Sequence, residues 1–334
     1  MESIAASQAL SEIGYLLRQD PEQKFRAKAF ADASWAIALS RPDLEKLRAR
    51  NELTSIEGVG AGITKVLVDL VDNGRSAYLD RLREEVGQPA REDESVFDMS
   101  TYRGDIHSHS NWSDGKATML EMARGAQALG YQYLAITDHS PRIKVVNGLG
   151  AERLLAQSLE MADVQAQVEG LTLMQGIEVD ILEDGALDLP DAVLELLDVV
   201  VASPHVKLRQ EPAAMTERML RAVSNPHVDI VGHPTGRRPG SREGATYDFE
   251  AVFKLAARNG IALEIDCDPA RMDLSPEMAR LALGWGCTFA LDADAHRPAE
   301  FAYVPMAAWM ARRAGIPPSR ILNFLELDEL TAAL

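Results

Sequence analysis

Two histidines separated by one residue stand at the end of a short predicted strand. The strand ends at about Ile106, and His107 and His109 follow it. Alternate side chains of an extended segment point to the same side, so both imidazoles can face one divalent ion. On its own the pair fits two ordinary histidines equally well, and its meaning depends on what the other strands contribute.

From residue 101 onward, short apolar runs alternate with amphipathic stretches of helical spacing. The apolar runs, interpreted as strands, are Arg103–His107, Tyr133–Thr137, Leu171–Val179, Val199–Ser203, Asp229–Gly232, Ala262–Asp266 and Thr288–Asp292. Seven repeats of strand and helix predict an α/β fold, a distorted (β/α)7 parallel barrel slightly smaller than the TIM form. In such barrels the chemistry takes place at the C-terminal ends of the strands.

The scarce histidines gather at these strand ends. Six of the seven histidines follow a predicted strand, whereas His227 precedes one and is interpreted as structural. The strand ends read His107-Ser-His109, Asp138-His139, Glu178-Val-Asp180, Pro204-His205, Gly232-His233, Glu264-Ile-Asp266 and Asp294-Ala-His296. Each histidine alone fits a core or surface position, but as a set they predict a cluster of metal ions at the mouth of the barrel.

Residues 1–86 are predicted to form a separate, all-helical domain. Apolar residues at helical spacing lead to a glycine-rich turn, in which Gly58, Gly60 and Gly62 precede a helix that contains Lys65. Glycines let the backbone turn tightly and expose N–H groups at a helix N-terminus, where anions bind. The alternative is an ordinary turn between two helices.

This turn resembles the helix-hairpin-helix motif, and residues 5–85 resemble the small N-terminal domain of family X DNA polymerases. The resemblance implies that the three glycines and Lys65 contact a DNA backbone phosphate. Val66 stands where lyase-active members carry a nucleophilic lysine, so no lyase activity is expected. Residues 87–101 are polar and are predicted to be a linker. No pair of aspartates in a strand-like context precedes His107, so polymerase activity is not expected either.

Residues 102–334 resemble the polymerase and histidinol phosphatase (PHP) family, most closely the PHP domain of bacterial family X polymerases. The motifs that carry the resemblance are His107-Ser-His109, Thr137-Asp-His139, Ser203-Pro-His205 and Asp294-Ala-His296. The family implies three divalent ions (zinc, manganese or iron) and nine ligands, and all nine positions are filled here. The implied ligands are His107, His109, Asp114, His139, Glu178, His205, His233, Asp294 and His296.

Adjacency around the barrel predicts how these ligands are shared. The predicted sets are His107, His109, Glu178 and Asp294 for the first ion, Glu178, His205 and His233 for the second, and Asp114, His139 and His296 for the third. A water bridging two ions would become the hydroxide that attacks a phosphate ester. The predicted catalytic residues are His107, His109, Glu178, Asp294 and Asp266, the last as a proton donor or as a residue that orients others. The cations predicted to grip further phosphates are Arg237, as the strongest candidate, Lys207 and Arg209.

Composition narrows the possible functions. The two cysteines lie in apolar stretches and fit buried thiols in a reducing cytoplasm, and no secretory signal or membrane span is recognised. The net charge of −17 argues against a broad basic surface for nucleic acid. Residues 1–90 contribute little to that excess, with 12 basic and 14 acidic residues. Neither a protein partner nor an oligomeric state follows from the sequence.

The leading hypothesis is a metal-dependent phosphoesterase that acts at DNA ends, as a 3′–5′ exonuclease or a 3′-phosphatase. The first alternative is a phosphatase for a small molecule such as histidinol phosphate or a nucleotide, which an acidic surface favours because it repels long polyanions. The second alternative is a non-catalytic DNA-repair adaptor that uses the metal cluster only for structure.

Overall fold

The computed structural model of the chain describes residues 3–18, 20–85, 101–268 and 270–334. The chain divides into two compact units, one of Met1–Ser95 with Pro239–Arg242 and the other of Val96–Arg238 with Glu243–Leu334. The predicted linker, residues 87–101, lies outside the described residues except for Thr101. The predicted domain boundaries therefore stay predictions.

The first unit is helical, as predicted for residues 1–86. Its described residues form α1 (Ser3–Arg18), α2 (Lys24–Ser40), α3 (Leu44–Ala49), α4 (Ala61–Asn73) and α5 (Ala77–Glu85). Helices α1 and α2 pack against each other, and buried alanines and isoleucines fill their contact. In the glycine-rich turn before α4, Gly58 has φ of +75°, a left-handed conformation that favours glycine.

The second unit is the predicted barrel, with seven parallel strands that pair in the order of the sequence. The strands are β1 (Gly104–Asp105), β2 (Tyr133–Ile136), β3 (Thr172–Asp180), β4 (Val199–Ser203), β5 (Ile230–Val231), β6 (Ala262–Asp266) and β7 (Phe289–Asp292). A single parallel bridge between Ser108 and Ala295 joins the chain beyond β1 to the chain beyond β7. The sheet is therefore nearly closed, and the predicted seven-stranded parallel barrel is confirmed.

Helices follow the strands and cover the outside of the barrel. They are α6 (Met119–Ala128), α7 (Ala151–Gln165), α8 (Asp191–Leu194), α9 (Pro212–Ala222), α10 (Phe249–Arg258), α11 (Pro276–Gly284), α12 (Val304–Ala314) and α13 (Leu327–Ala333). Helix α6 begins with a reciprocal capping box, in which Thr118 and Glu121 each accept a backbone N–H of the other. Within the described ranges, no helix has both the length and the apolar character needed to cross a membrane.

The residues that face the barrel axis change from apolar to acidic toward the C-terminal ends of the strands. Met174 and Ala262 belong to the buried apolar core, together with residues of the other strands. Residues separated by two or four positions in a strand face the same side, which places Glu178 and Glu264 on the same face beyond them. Both glutamates are fully buried. The strands thus set a layer of carboxylates above the apolar core, at the mouth where the histidines lie.

Candidate metal centre

Glu178 is the centre of the site, and histidines approach both of its carboxylate oxygens. Oε1 lies 2.8 Å from Nε2 of His233 and 3.1 Å from Nε2 of His205. Oε2 lies 2.8 Å from Nδ1 of His139. Because one carboxylate contacts three imidazoles that follow three different strands, Glu178 can share its oxygens between neighbouring ions.

The first predicted ligand set comes together as a fully buried group. His107, His109, Glu178 and Asp294 each offer one atom, and these atoms all lie within 4.8 Å of one another. Oδ1 of Asp294 is 2.9 Å from Nε2 of His109 and 3.8 Å from Nε2 of His107. The His-X-His pair at the end of β1 therefore does point both imidazoles at one position.

A second group forms the open side of the site. It consists of His109, Asp114, His139 and His296, again with ligand atoms within 4.8 Å. Oδ1 of Asp114 lies 3.6 Å from Nε2 of His139 and 3.4 Å from Nε2 of His296. The side chains of Asp114 and His296 are 28% and 26% exposed, so a solute can reach the cluster here. This group contains the whole of the set predicted for the third ion.

The remaining group joins Glu178 and His205 with His139. The sequence prediction has His233 in this set. His233 lies next to the group, with Nε2 on Glu178 and its ring centroid 5.0 Å from that of His205. His139 therefore borders two groups, and the partition of ligands between the second and third ions stays a prediction.

Buried polar atoms without hydrogen bonds test whether these residues fit metal ions. Among the described residues, eight of the nine candidate ligands carry such an atom. The atoms are His107 Nε2, His109 Nδ1 and Nε2, Asp114 Oδ1, His139 Nδ1, Glu178 Oε2, His205 Nε2, His233 Nδ1 and Asp294 Oδ1. Unsatisfied buried donors and acceptors are costly, and here they converge on one another. Mixed imidazole and carboxylate donors suit zinc, manganese or iron, so the residues fit divalent metal ions.

Two further carboxylates each contact one ring nitrogen of a candidate histidine ligand. Oε1 of Glu264 lies 2.5 Å from Nδ1 of His107, and Oδ1 of Asp180 lies 3.1 Å from Nδ1 of His205. Carboxylates in this position fix the ring and leave the other nitrogen for a metal. Sequence reasoning did not assign this role to Glu264 or Asp180, although both lie at strand ends and continue the alternation of their strands.

The two central carboxylates are held ionised. Burial raises the pKa of Glu178, but the surrounding imidazoles, led by His205, outweigh it and hold this pKa well below its usual value. Burial likewise raises the pKa of Asp294, and the guanidinium of Arg271 outweighs it, so this pKa is also well below its usual value. Ionised carboxylates are the form that binds cations.

The imidazoles differ in their protonation. Burial, followed by the charges of His296 and His139, lowers the pKa of His109 to about 3, so this ring is neutral and can donate a lone pair. Burial alone would lower the pKa of His205. The charge of Glu178 outweighs burial, so the pKa of His205 is raised to about 9. A metal ion on His205 must displace that proton, so binding will release protons and weaken as the pH falls.

Asp266, the predicted proton donor, is fully buried and belongs to none of the three groups. Its Oδ1 accepts the N–H of Asp268 at 2.7 Å, and its Oδ2 lies 3.3 Å from Nε of Arg271. Burial, reinforced by the charge of Asp294, raises the pKa of Asp266 well above its usual value. These contacts match the orienting role more closely than proton transfer to solvent, and the assignment stays a prediction.

The cations predicted to grip phosphate lie in different settings. Nε of Arg237 donates to the carbonyl oxygen of Met272 at 2.9 Å, and Nη2 donates to the same oxygen. Lys207 and Arg209 are exposed. Among the described residues, no ion pair or hydrogen bond joins either side chain to the three ligand groups.

The residues predicted to bind DNA lie together in the first unit. Gly58, Gly60, Gly62 and Lys65 line a cavity of about 580 Å³. The cavity is also lined by Arg26, Ala29, Phe30, Ile63, Val66, Asp69, Tyr78 and Arg81. Arg26, Ala29 and Phe30 belong to the α2 segment that carries part of the resemblance to family X polymerases, whereas Tyr78 and Arg81 of α5 were not singled out from the sequence.

The sequence of this chain matches a known domain family and is similar to the sequences of named proteins. The pattern of the PHP domain matches residues 105–267. The DNA polymerase/3′-5′ exonuclease PolX of Bacillus subtilis (strain 168) is 39% identical over 239 residues, 72% of this chain and 42% of PolX. A probable phosphatase of Thermoanaerobacter sp. (strain X514) is 32% identical over 232 residues, 66% of this chain and 89% of that protein. This chain thus spans less than half the length of PolX.

Among solved structures, histidinol phosphate phosphatase from Lactococcus lactis, in complex with zinc, L-histidinol and phosphate, aligns with a TM-score of 0.48. The identity is 16%, over 65% of this chain and 95% of that chain. A likeness of this size carries no conclusion about the present site.

The nearly closed barrel and the donor atoms at its C-terminal strand ends define an α/β-barrel protein with a candidate metal centre. Together with the sequence similarities, they identify the family. The chain belongs to the PHP family.

Proposed function

We propose that this metal-dependent phosphoesterase of the PHP family hydrolyses phosphate esters at DNA ends, as a 3′–5′ exonuclease or a 3′-phosphatase. The observation that carries the proposed hydrolysis is the convergence of three ligand groups on Glu178 and its histidines. Three divalent ions, zinc, manganese or iron, would be held by the nine predicted ligands. When bound, such ions supply acidified water and neutralise the charge of a phosphate ester.

The chain's own residues prepare the site for a phosphate ester. The ionised Glu178 and Asp294 attract cations into a buried pocket, and Glu264 holds the ring of His107 in place. The partly exposed Asp114 and His296 mark the side from which a substrate enters. The proposed hydrolysis needs no nucleophilic side chain and no covalent intermediate, because water is the nucleophile.

Cations and aromatic rings in the first unit support DNA as the substrate. Guanidinium groups of Arg26 and Arg81 lie 5.7 and 5.4 Å from the ring centroid of Tyr78, and this ring stacks on Phe30 at 5.9 Å. These side chains line the same cavity as Lys65. A cleft with cations and π-faces suits a nucleic-acid strand. We therefore propose that residues 1–86 act as a helix-hairpin-helix domain that holds DNA, connected by residues 87–101 to the catalytic PHP domain of residues 102–334.

The N-terminus of α4 adds backbone donors to this cavity. Gly60 is the residue before the helix, and no side chain caps it. A Cβ at Gly60 or Gly62 would meet no atom within 4 Å, so the backbone there is open to a ligand. Free N–H groups at the start of a helix bind phosphate without reading base sequence. The PolX relative is named a 3′-5′ exonuclease, which agrees with a DNA substrate.

The second candidate function is a small-molecule phosphatase. The net charge of −17 favours it, because a strongly acidic protein repels long polyanions. The relative of which this chain covers 89% is named a probable phosphatase. Histidinol phosphate or a nucleotide would be the substrate.

One set of assays separates these functions. The purified full chain, loaded with Mn²⁺, is incubated with oligonucleotides that end in a 3′-hydroxyl or a 3′-phosphate. A parallel panel contains histidinol phosphate, nucleoside monophosphates and other small phosphomonoesters. We expect nucleotides or phosphate to be released from the DNA ends. Hydrolysis of the small esters alone would contradict the DNA proposal, and a metal-loaded protein that hydrolyses neither class would favour the adaptor.

A further inference from the structure

Arg271 is a buried cation beside the metal ligand groups that sequence reasoning did not single out. Its side chain is 10% exposed, and its Nε lies 3.2 Å from Oδ2 of Asp294 and 3.3 Å from Oδ2 of Asp266. The other oxygen of Asp294 lies 2.9 Å from Nε2 of His109. A single carboxylate therefore separates the guanidinium of Arg271 from the first ligand group.

The two ends of the Arg271 guanidinium have different surroundings. Nε is buried against the two aspartates. The described residues offer no hydrogen-bond acceptor to Nη1 or Nη2, and these atoms, unlike Nε, are not fully buried. A guanidinium carries five donors and usually satisfies them when it is this enclosed. These donors are thus unused, and they belong to a side chain that contacts Asp294 of the first ligand group.

The charge of Arg271 reaches residues on both sides of the cluster. It is the strongest influence that opposes the effect of burial on the pKa of Asp294, and it holds that pKa low. After burial, it is also the main cause of the lowered pKa of His233. Asp294 follows β7 and His233 follows β5. The direct contact that brings this charge to the cluster is the ion pair with Asp294, at 3.2 Å.

A network of hydrogen bonds fixes the loop that carries Arg271. The carboxylate of Asp273 accepts the N–H groups of Thr235 and Gly236 at 2.9 and 2.8 Å. Arg237 donates to the carbonyl of Met272, the residue that follows Arg271. The loop after β6 is thereby tied to the loop after β5. Arg237, the residue that the sequence favoured for phosphate, supports the position of Arg271.

We propose that Arg271 binds the phosphoryl oxygens of the substrate through its Nη groups while Nε stays on Asp294. This inference rests on the proposed phosphoesterase function and names the residue that grips the phosphate. A guanidinium presents parallel N–H groups that match two oxygens of a phosphate. In this arrangement Asp294 links the arginine to the candidate metal ligands, so a phosphate bound beside those residues would also reach Arg271.

The test measures phosphate binding directly. Inorganic phosphate is titrated by calorimetry into the Mn²⁺-loaded full chain as wild type, Arg271→Gln and Arg258→Gln, with metal content determined for each. We expect Arg271→Gln to bind phosphate about tenfold to hundredfold more weakly at unchanged metal content, because charged hydrogen bonds are lost. The control Arg258→Gln, at an exposed position of α10, should stay within about twofold of wild type.

The outcomes separate this proposal from the proposed function. Wild-type affinity in Arg271→Gln would overturn the assignment of Arg271 and leave the phosphoesterase standing. A metal-loaded wild type that binds no phosphate would instead count against the phosphoesterase itself.

A second variant covers loss of metal from Arg271→Gln. Arg271→Lys keeps a positive charge beside Asp294 but cannot offer parallel N–H groups. Weaker phosphate binding by a metal-loaded Arg271→Lys would support the proposal, and wild-type binding would overturn it. Loss of metal from this variant as well would assign Arg271 only to the support of Asp294, which also overturns it.

Discussion

The strand-end cluster and the hairpin cavity differ in how firmly the fold fixes their residues. At the cluster, buried side chains such as Glu178 and Glu264 lie on strands, and each contacts several others at hydrogen-bond distance. At the cavity, cations such as Arg26 and Arg81 stand on helix surfaces and are exposed. The barrel holds the buried side chains in position, whereas exposed side chains take up a defined position only when a ligand binds. Mutations should therefore have large effects at the first and modest effects at the second.

The largest effect is expected at Glu178. Replacing it with glutamine removes the charge that three histidines contact. Partners that only orient a ligand account for about 10–100-fold in metal affinity or activity, so losing this residue should lower both by more than about a hundredfold. Elemental analysis and initial rates on a phosphate ester measure this. In the control Glu250→Gln, on the exposed face of α10, both should remain at the wild-type level, and a Glu178→Gln variant with full metal content would contradict the account.

A smaller effect is expected at Glu264, behind His107. Replacing it with glutamine keeps the three ligand groups but removes the anion 2.5 Å from Nδ1 of His107. Metal affinity should fall by about 10–100-fold. Titration with a fluorescent chelator competitor measures the affinity, with Asp163→Asn on the exposed side of α7 as the matched control. Unchanged affinity would mean that the contact of Glu264 with His107 does not support metal binding.

A still smaller effect is expected in the first unit. The double variant Arg26→Gln, Arg81→Gln removes two cations from the cavity, and its affinity for single-stranded DNA at low salt should fall by about tenfold, with a shallower salt dependence. Fluorescence anisotropy at several salt concentrations measures both. The control Arg48→Gln, whose guanidinium pairs with Asp72 at 2.8 Å, should bind DNA nearly as the wild type does. Equal DNA binding by the double variant would refute the proposed role of the cavity.

The smallest effect is expected at Asp229, just before β5. Burial raises its pKa to about 7, although it accepts the N–H of Val200 at 2.7 Å. The folded state therefore binds a proton on Asp229 more tightly than the unfolded chain does, because an aspartate of the unfolded chain has a pKa of about 3.9. The free energy of unfolding should fall as the pH rises from about 4 to above 7. Asp229→Asn removes that dependence and should gain roughly 1–2 kcal/mol over wild type between pH 5 and pH 8.

Urea unfolding of both proteins at the two pH values measures this difference. A difference that does not change with pH would show that Asp229 titrates normally. The contrast with Glu178 is informative, because burial raises the pKa of both carboxylates but only Glu178 is surrounded by imidazoles that lower it.

The sequence predicted the barrel and the meeting of the candidate ligands at its mouth because both follow simple periodicities. Strands alternate their faces, and the ends of parallel strands meet at one mouth, so His107, His139 and His205 had to converge. The alternation of β6 also turns the side chain of Glu264 into the barrel. The hydrogen bond that gives Glu264 a role, however, joins it to His107, 157 positions away. That contact depends on the closure of the barrel, which local sequence does not encode.

The arginines show the limit of motif reasoning most clearly. Arg237 lies only four positions after His233, and proximity in sequence made it the favoured phosphate residue. In the fold its guanidinium turns to the carbonyl of Met272, while Arg271, from the next strand's loop, reaches Asp294. The directions of these two side chains, which lie on different loops, decide which arginine reaches Asp294. The spacing of residues in the sequence does not contain these directions.

The most direct test of the central claim is anomalous diffraction from crystals of the full chain grown with Mn²⁺. Anomalous peaks are expected within ligand distance of Glu178, bounded by the nine predicted histidine and carboxylate ligands. Up to three ions are expected, with one between His107, His109 and Asp294. An Mn²⁺-containing crystal with no peak at Glu178, and with the imidazoles hydrogen-bonded to the carboxylates instead, would contradict that claim.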